Sequence, residues 1–151
     1  MEINLIGKNA LVGGSTSGIG KAIAQQLALS GANVTLVARN EEKLKSTIAS
    51  LDSSKNQIHN YIVTDYADFE SYKKTISAYF LINSVDILVN NTQGPSAGTV
   101  VQKSEQDYLQ AFNLLFQTAV FTTNLALSNM KEKGFGRIIN VSSLKIGRAH
   151  V

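Results

Sequence analysis

Five short apolar runs punctuate the chain: NALVGG (9–14), NVTLVA (33–38), HNYIVT (59–64), DILVN (86–90) and RIINVS (137–142). Helix-period segments lie between them. Ile19, Ile23 and Leu27 recur every four residues and predict one buried helical face, with Gly31 as the stop. Asn40 is the expected N-cap of a second helix, with Glu41 and Glu42 in its first turn and Leu44, Ile48 and Leu51 as its apolar stripe. Phe69, Tyr72, Ile76 and Phe80 predict a third helix. Ser104 and Asp107 form a capping box that opens a longer fourth one, roughly over 105–131.

Strands that are nearly all apolar, alternating with helices, predict a parallel sheet covered on both faces. Right-handed crossovers then give a doubly wound α/β sheet. The fourth helix departs from simple amphipathicity, because Leu109, Phe112, Leu114, Leu115, Phe116, Val120, Phe121 and Leu125 go most of the way round. Such a helix needs a second covering surface besides the sheet, from later in the chain or from another subunit.

The length of 151 residues suits one domain. A net charge of +3, dispersed along the chain, gives no reason to expect nucleic acid. The absence of cysteine excludes a disulfide scaffold and a thiolate metal site. No metal site is expected. The most apolar late stretch is broken by Asn113, Gln117 and Asn124, against a membrane span, and the first residues lack a signal-peptide pattern. A cytoplasmic location is the default reading. His59 and His150 are read as surface residues.

The candidate chemistry lies in LVGGSTSGIGKAIA (11–24), where glycines crowd the turn from the first strand into the first helix. In a doubly wound fold that turn receives a dinucleotide pyrophosphate at exposed helix N-terminal amides. A nucleoside-triphosphate loop is excluded, since Ile19 follows Gly18 and Ala22 follows Lys21. An ordinary glycine-rich turn is the remaining alternative.

Gly14, Gly18 and Gly20 resemble the TGxxxGxG signature of the short-chain dehydrogenase/reductase family, with Gly13 where threonine is usual. DILVNNTQG resembles the family's NNAG signature, although Thr92 and Gln93 replace alanine and Gly94 is displaced by one. Asn113 falls on the family's helix asparagine, and GFGRIINVSS brings Ser143 onto its catalytic serine. These signatures span about residues 5 to 144. The nearest likeness is to 3-oxoacyl-carrier-protein-reductase-like members.

The resemblance implies a Rossmann fold and an oxidoreductase that interconverts a carbonyl and an alcohol on a small molecule. It places cofactor contacts at Gly14, Ser15, Thr16, Ser17, Gly18, Ile19, Gly20, Arg39, Asp65, Tyr66, Asn91 and Thr92, and catalytic roles at Asn113 and Ser143. Ala38 occupies the position where an acid would bind the adenosine ribose, and Arg39 follows it, which favours NADP(H) over NAD(H). The second basic residue often found in the glycine turn is replaced by Ser17. Plainer roles stay open: Arg39 as a solvated loop cation, Asp65 as a helix N-terminal acid near Asp68, Asn113 as a buried helix polar residue, and Ser142–Ser143 as a strand end.

The family's tyrosine, with a lysine four residues later, has no counterpart. The residues four beyond Tyr61, Tyr66, Tyr72, Tyr79 and Tyr108 are Asp65, Glu70, Ile76, Asn83 and Phe112. IGRAHV resembles one reading frame of a sequencing adapter. The expectation is therefore an incomplete dinucleotide-binding domain over 1–144, a non-native tail over 145–151, a parent protein that is a homo-oligomer, and a chain inactive by itself. The rival reading is a non-catalytic dinucleotide-binding sensor or scaffold.

Overall fold

The computed structural model describes residues 3–142. Its elements follow the sequence pattern: β1 (Asn9–Gly13), α1 (Gly18–Leu29), β2 (Asn33–Ala38), α2 (Glu41–Ala49), β3 (Asn60–Val63), α3 (Phe69–Ile82), β4 (Ile87–Asn90), α4 (Glu105–Phe112), α5 (Thr118–Glu132) and β5 (Arg137–Asn140). All strand pairs are parallel, in the order β3-β2-β1-β4-β5.

Side-chain alternation along the strands divides the core into two layers. Ala10, Val12, Val34, Leu36, Ile87 and Val89 face α1 and α2, packing on Ala24, Ala28 and Leu44. Leu11, Val37 and Leu88 face the opposite layer with Tyr72, Ile76, Ala126 and Met130 from α3 and α5. The caps are as expected. Asn40 Oδ1 accepts from the Lys43 amide at 2.9 Å, and Ser104 and Asp107 close a reciprocal box. Gly31, at φ +100°, ends α1.

Four expectations need correction. The closest-packed face of α1 is Gly20, Ala24 and Ala28; Ile23 and Leu27 are half-buried beside it, and Ile19 is 64% exposed. A helix crossing a parallel sheet approaches most closely on its smallest side chains, and the larger ones are displaced to the rim. The long helix is interrupted by a π turn over Asn113–Gln117, where the Thr118 amide donates to the Asn113 carbonyl. Along α4, the turn and α5, Leu114, Thr118, Thr122, Ala126 and Met130 face inward, while Tyr108, Leu109, Phe112, Leu115, Phe116 and Val120 remain exposed.

His59 is not a simple surface residue: its Nδ1 accepts from the Val34 amide at 3.1 Å and its Nε2 lies 2.9 Å from the Asp52 carbonyl. Those partners assign the proton to Nε2. The edge strand β5 is exposed along its length, because among the described residues only β4 flanks it. No helix among the described residues is long and apolar enough to cross a membrane.

Candidate functional site

The strand order reverses direction between β1 and β4, and the carboxyl ends of these strands open a crevice. The turn after β1 and Asn91 after β4 meet there. Asn91 Nδ2 donates to the Gly13 carbonyl at 3.1 Å and more weakly to that of Gly14 at 3.5 Å. This approach requires glycines. A Cβ on Gly14 would lie 2.7 Å from Asn91 Nδ2, and one on Gly20 would lie 2.3 Å from the Gly14 oxygen. At Gly18 a Cβ would meet nothing within 4 Å, since that residue borders open space. Ser17 begins α1 without a side-chain cap, and the first turn carries no acid. Uncapped amides next to open space suit an anionic phosphate group.

A cavity of about 540 Å³ adjoins this turn. It gathers Gly14, Thr16, Ser17, Gly18, Ile19, Gly20, Arg39, Tyr66, Asn91 and Thr92 from the expected cofactor contacts. Ser15 is not among them. Its buried hydroxyl accepts from the Val37 amide at 3.0 Å, which ties the turn to β2. Asp65 also stays outside the lining. Its carboxylate accepts from the Ala67 amide at 2.9 Å and lies 3.9 Å from Arg39 Nη1.

One lining residue escaped the sequence reading. Lys43 joins Arg39 as the second cation of this cavity, which has no acidic lining residue. Its neighbour Lys45 is engaged by Glu41 and Glu42, whereas Lys43 has no ion pair among the described residues. The signal was its position one turn into α2, four residues after Arg39.

A second cavity, about 480 Å³, continues from the first across Ile19, Tyr66, Asn91 and Thr92. Its other walls include Asn90, Leu115, Thr118, Thr122 and Ser142. Asn113 sits at the start of the π turn and does not line either cavity. Ser143 lies outside the described residues. Two buried tyrosines also line the second cavity, Tyr66 and Tyr72. Burial pushes Tyr66 well above the ordinary phenol range, reinforced by Tyr72 and opposed by the nearby Gly14 amide. Burial likewise pushes Tyr72 up to about 12, against its hydrogen bond to Thr122. Neither is a ready proton donor at neutral pH.

The short chain dehydrogenase family model matches residues 8–150. An uncharacterized oxidoreductase, YvaG of Bacillus subtilis, is 38% identical over 144 residues, covering 95% of this chain and 53% of that protein. The 3-oxoacyl-(acyl-carrier-protein) reductase FabG of Aquifex aeolicus is 31% identical, covering 95% and 58%. The structure of L-sorbose reductase from Gluconobacter frateurii, complexed with NADPH and L-sorbose, superposes with a TM-score of 0.82 at 30% identity, covering 93% and 54%. The chain thus spans about half the length of the curated relatives it matches.

Proposed function

The chain belongs to the short chain dehydrogenase family, and on that premise we propose that it forms the cofactor-binding half of an NADP(H)-dependent oxidoreductase acting on a carbonyl/alcohol pair. The observation that carries this reading is the cavity at the strand-order reversal, where uncapped amides of α1 and two cations share a lining without an acidic residue. A bound nicotinamide supplies or accepts hydride.

The chain's own residues would divide the remaining work. Gly14 to Gly20 would hold the pyrophosphate through bare amides, with Thr16 and Ser17 adding hydroxyl donors. Arg39 and Lys43 would receive a 2′-phosphate, the guanidinium through paired hydrogen bonds and the ammonium as a point charge. Asn91 would keep the turn in shape while Thr92 borders the nicotinamide side. The second cavity would seat the substrate carbon against the nicotinamide, and the family resemblance gives Ser143 the role of hydrogen-bonding its oxygen. Asn113 acts through the π turn, which sets the helix wall facing that cavity.

Proton exchange with the substrate oxygen needs a phenol that titrates nearer neutrality than Tyr66 or Tyr72. We assign it to a tyrosine–lysine pair in the remainder of a longer protein, one that is a homo-oligomer. The substrate is a small carbonyl compound or alcohol, and neither nucleic acid nor membrane enters the reaction.

Extending the open reading frame beyond Leu144 and titrating the full-length protein with NADPH and NADH tests this assignment. A Tyr-x-x-x-Lys sequence, tighter NADPH than NADH and NADPH-dependent carbonyl reduction are expected. Binding without any turnover and without that sequence would instead favour the non-catalytic sensor. Failure to bind either nucleotide would overturn both.

A further inference from the structure

Tyr66 borders both cavities, yet its phenol is turned away from solvent toward the glycine turn. Its hydroxyl oxygen packs against Gly13. The same oxygen explains the residue at position 13. Gly13 does not have a positive φ, so backbone conformation does not call for glycine there. Space does: a Cβ on Gly13 would lie 2.6 Å from Tyr66 Oη and 2.3 Å from the Asn91 carbonyl. The bare residue and the buried phenol are complementary.

The turn is consequently gripped on two sides. Asn91 holds the carbonyls of Gly13 and Gly14, and the Tyr66 hydroxyl packs against Gly13. The grip is anchored below: the Tyr66 ring lies against Tyr72 at 4.9 Å between centroids, and the Tyr72 hydroxyl meets Thr122 Oγ1 of α5 at 2.5 Å. An aromatic ring wedged in this way has little rotational freedom, so its hydroxyl marks a fixed point.

We propose that Tyr66 is a positioning residue for the dinucleotide, its hydroxyl occupying the space left by Gly13 and so fixing the glycine turn on which the pyrophosphate would rest. The proposal rests on the dinucleotide reading above. It predicts an effect confined to ligands that carry a pyrophosphate, because Tyr66 acts through the turn and not on the adenosine end.

The experiment uses the full-length protein and Tyr66→Phe, with affinities for NADPH, NADH, ADP-ribose and adenosine 2′-monophosphate and the melting temperature of the ligand-free protein. The expected result is about a tenfold loss for NADPH, NADH and ADP-ribose alike, because the space opened beside Gly13 lets the turn shift by a fraction of an ångström. The NADPH/NADH ratio and the affinity for adenosine 2′-monophosphate, which has no pyrophosphate, stay unchanged. Unaltered ADP-ribose binding overturns the proposal. So does an equal loss across all four ligands, or failure of the variant to fold, since either marks Tyr66 as a core residue only.

A second arm is the coupling with position 13. Gly13→Ala should weaken ADP-ribose binding more in the native background than beside Tyr66→Val, where the phenol no longer occupies the space. Additive losses overturn the complementarity. If the unsubstituted protein binds no dinucleotide, the functional reading itself fails, and that is seen before any variant is made.

Discussion

Gly20→Ala separates the turn's role in binding from its role in stability. Gly20 lies in the first turn of α1 with its space closed by backbone: an added Cβ would be 2.3 Å from the Gly14 oxygen and 2.7 Å from Asn91 Nδ2. Carbon–oxygen contact at that distance is roughly 1 Å too short, so the Gly14 carbonyl must retreat. Overpacking of this kind costs about 1–3 kcal/mol, offset by the roughly 0.5–1 kcal/mol that alanine gains over glycine inside a helix. The net destabilisation is then about 1–2 kcal/mol.

The cost in binding should be larger, because displacing a preorganised contact by about 1 Å is worth roughly a hundredfold. Gly134→Ala is the control. Its φ is +62° and a Cβ there meets nothing within 4 Å, so it loses about 1–2 kcal/mol to conformation alone, far from the turn. Urea denaturation and NADPH fluorescence titration of the full-length variants read both quantities. Similar stability losses with a binding defect only in Gly20→Ala are expected. Native NADPH affinity in Gly20→Ala, at the expected loss of stability, refutes the role assigned to the turn.

Three further outcomes can be checked on the same protein. Arg39→Ala and Lys43→Gln should weaken NADPH by about tenfold and a few-fold respectively while sparing NADH, and added salt should erode NADPH affinity more than NADH affinity. Lys133→Met should cost about 1–3 kcal/mol in urea denaturation, because the Asp86 carboxylate, only 3% exposed, is left with the Asn9 amide alone; the partial exposure of Lys133 keeps the loss below that of a fully buried pair. The neutral phenol of Tyr72 stabilises the fold fully below pH 10 and loses that contribution as the pH rises from 10 through about 12, on the order of 3 kcal/mol. Stability read by circular dichroism should fall over that window in the native protein and fall less in Tyr72→Phe, and an equal alkaline loss in the two would refute it.

The architecture was legible because strands buried on both faces leave unbroken apolar runs, and because Asn40 and Ser104 mark helix starts by their own hydrogen bonds. Signals of that kind act between residues close in sequence. What escaped the reading depends on distance in space. The stripe of Ile19, Ile23 and Leu27 is a sound guide to amphipathicity, but parallel-sheet packing selects Gly20, Ala24 and Ala28 for the closest approach. The π turn at Asn113–Gln117 has no side-chain signature, although it turns Leu114, Thr118 and Thr122 inward and so makes an apparently all-round apolar helix two-sided. Lys43 was passed over because a second cation was sought in the glycine turn, whereas the structure brings it from α2 to the same wall. Ser15 and Asn113 show the converse: a motif places a residue beside the site without saying which way its polar atoms point.

Arg39 raises a sharper question, because Asp65 lies close enough to compete for it. Their separation is 3.9 Å with both side chains well exposed, and ion pairs of that kind are worth at most about 1 kcal/mol. Asp65 also accepts from the Ala67 amide, which holds its carboxylate over the start of the turn into α3 and away from the cavity lining. A phosphate entering between Arg39 and Lys43 would carry up to two charges and offer the guanidinium two parallel hydrogen bonds, a stronger and more directional partner than one distant carboxylate oxygen. Asp65 therefore steadies the guanidinium without capturing it. Asp65→Asn should accordingly alter NADPH affinity far less than Arg39→Ala does, and a gain as large as the arginine's loss would show that the carboxylate, and not the cavity, governs where Arg39 points.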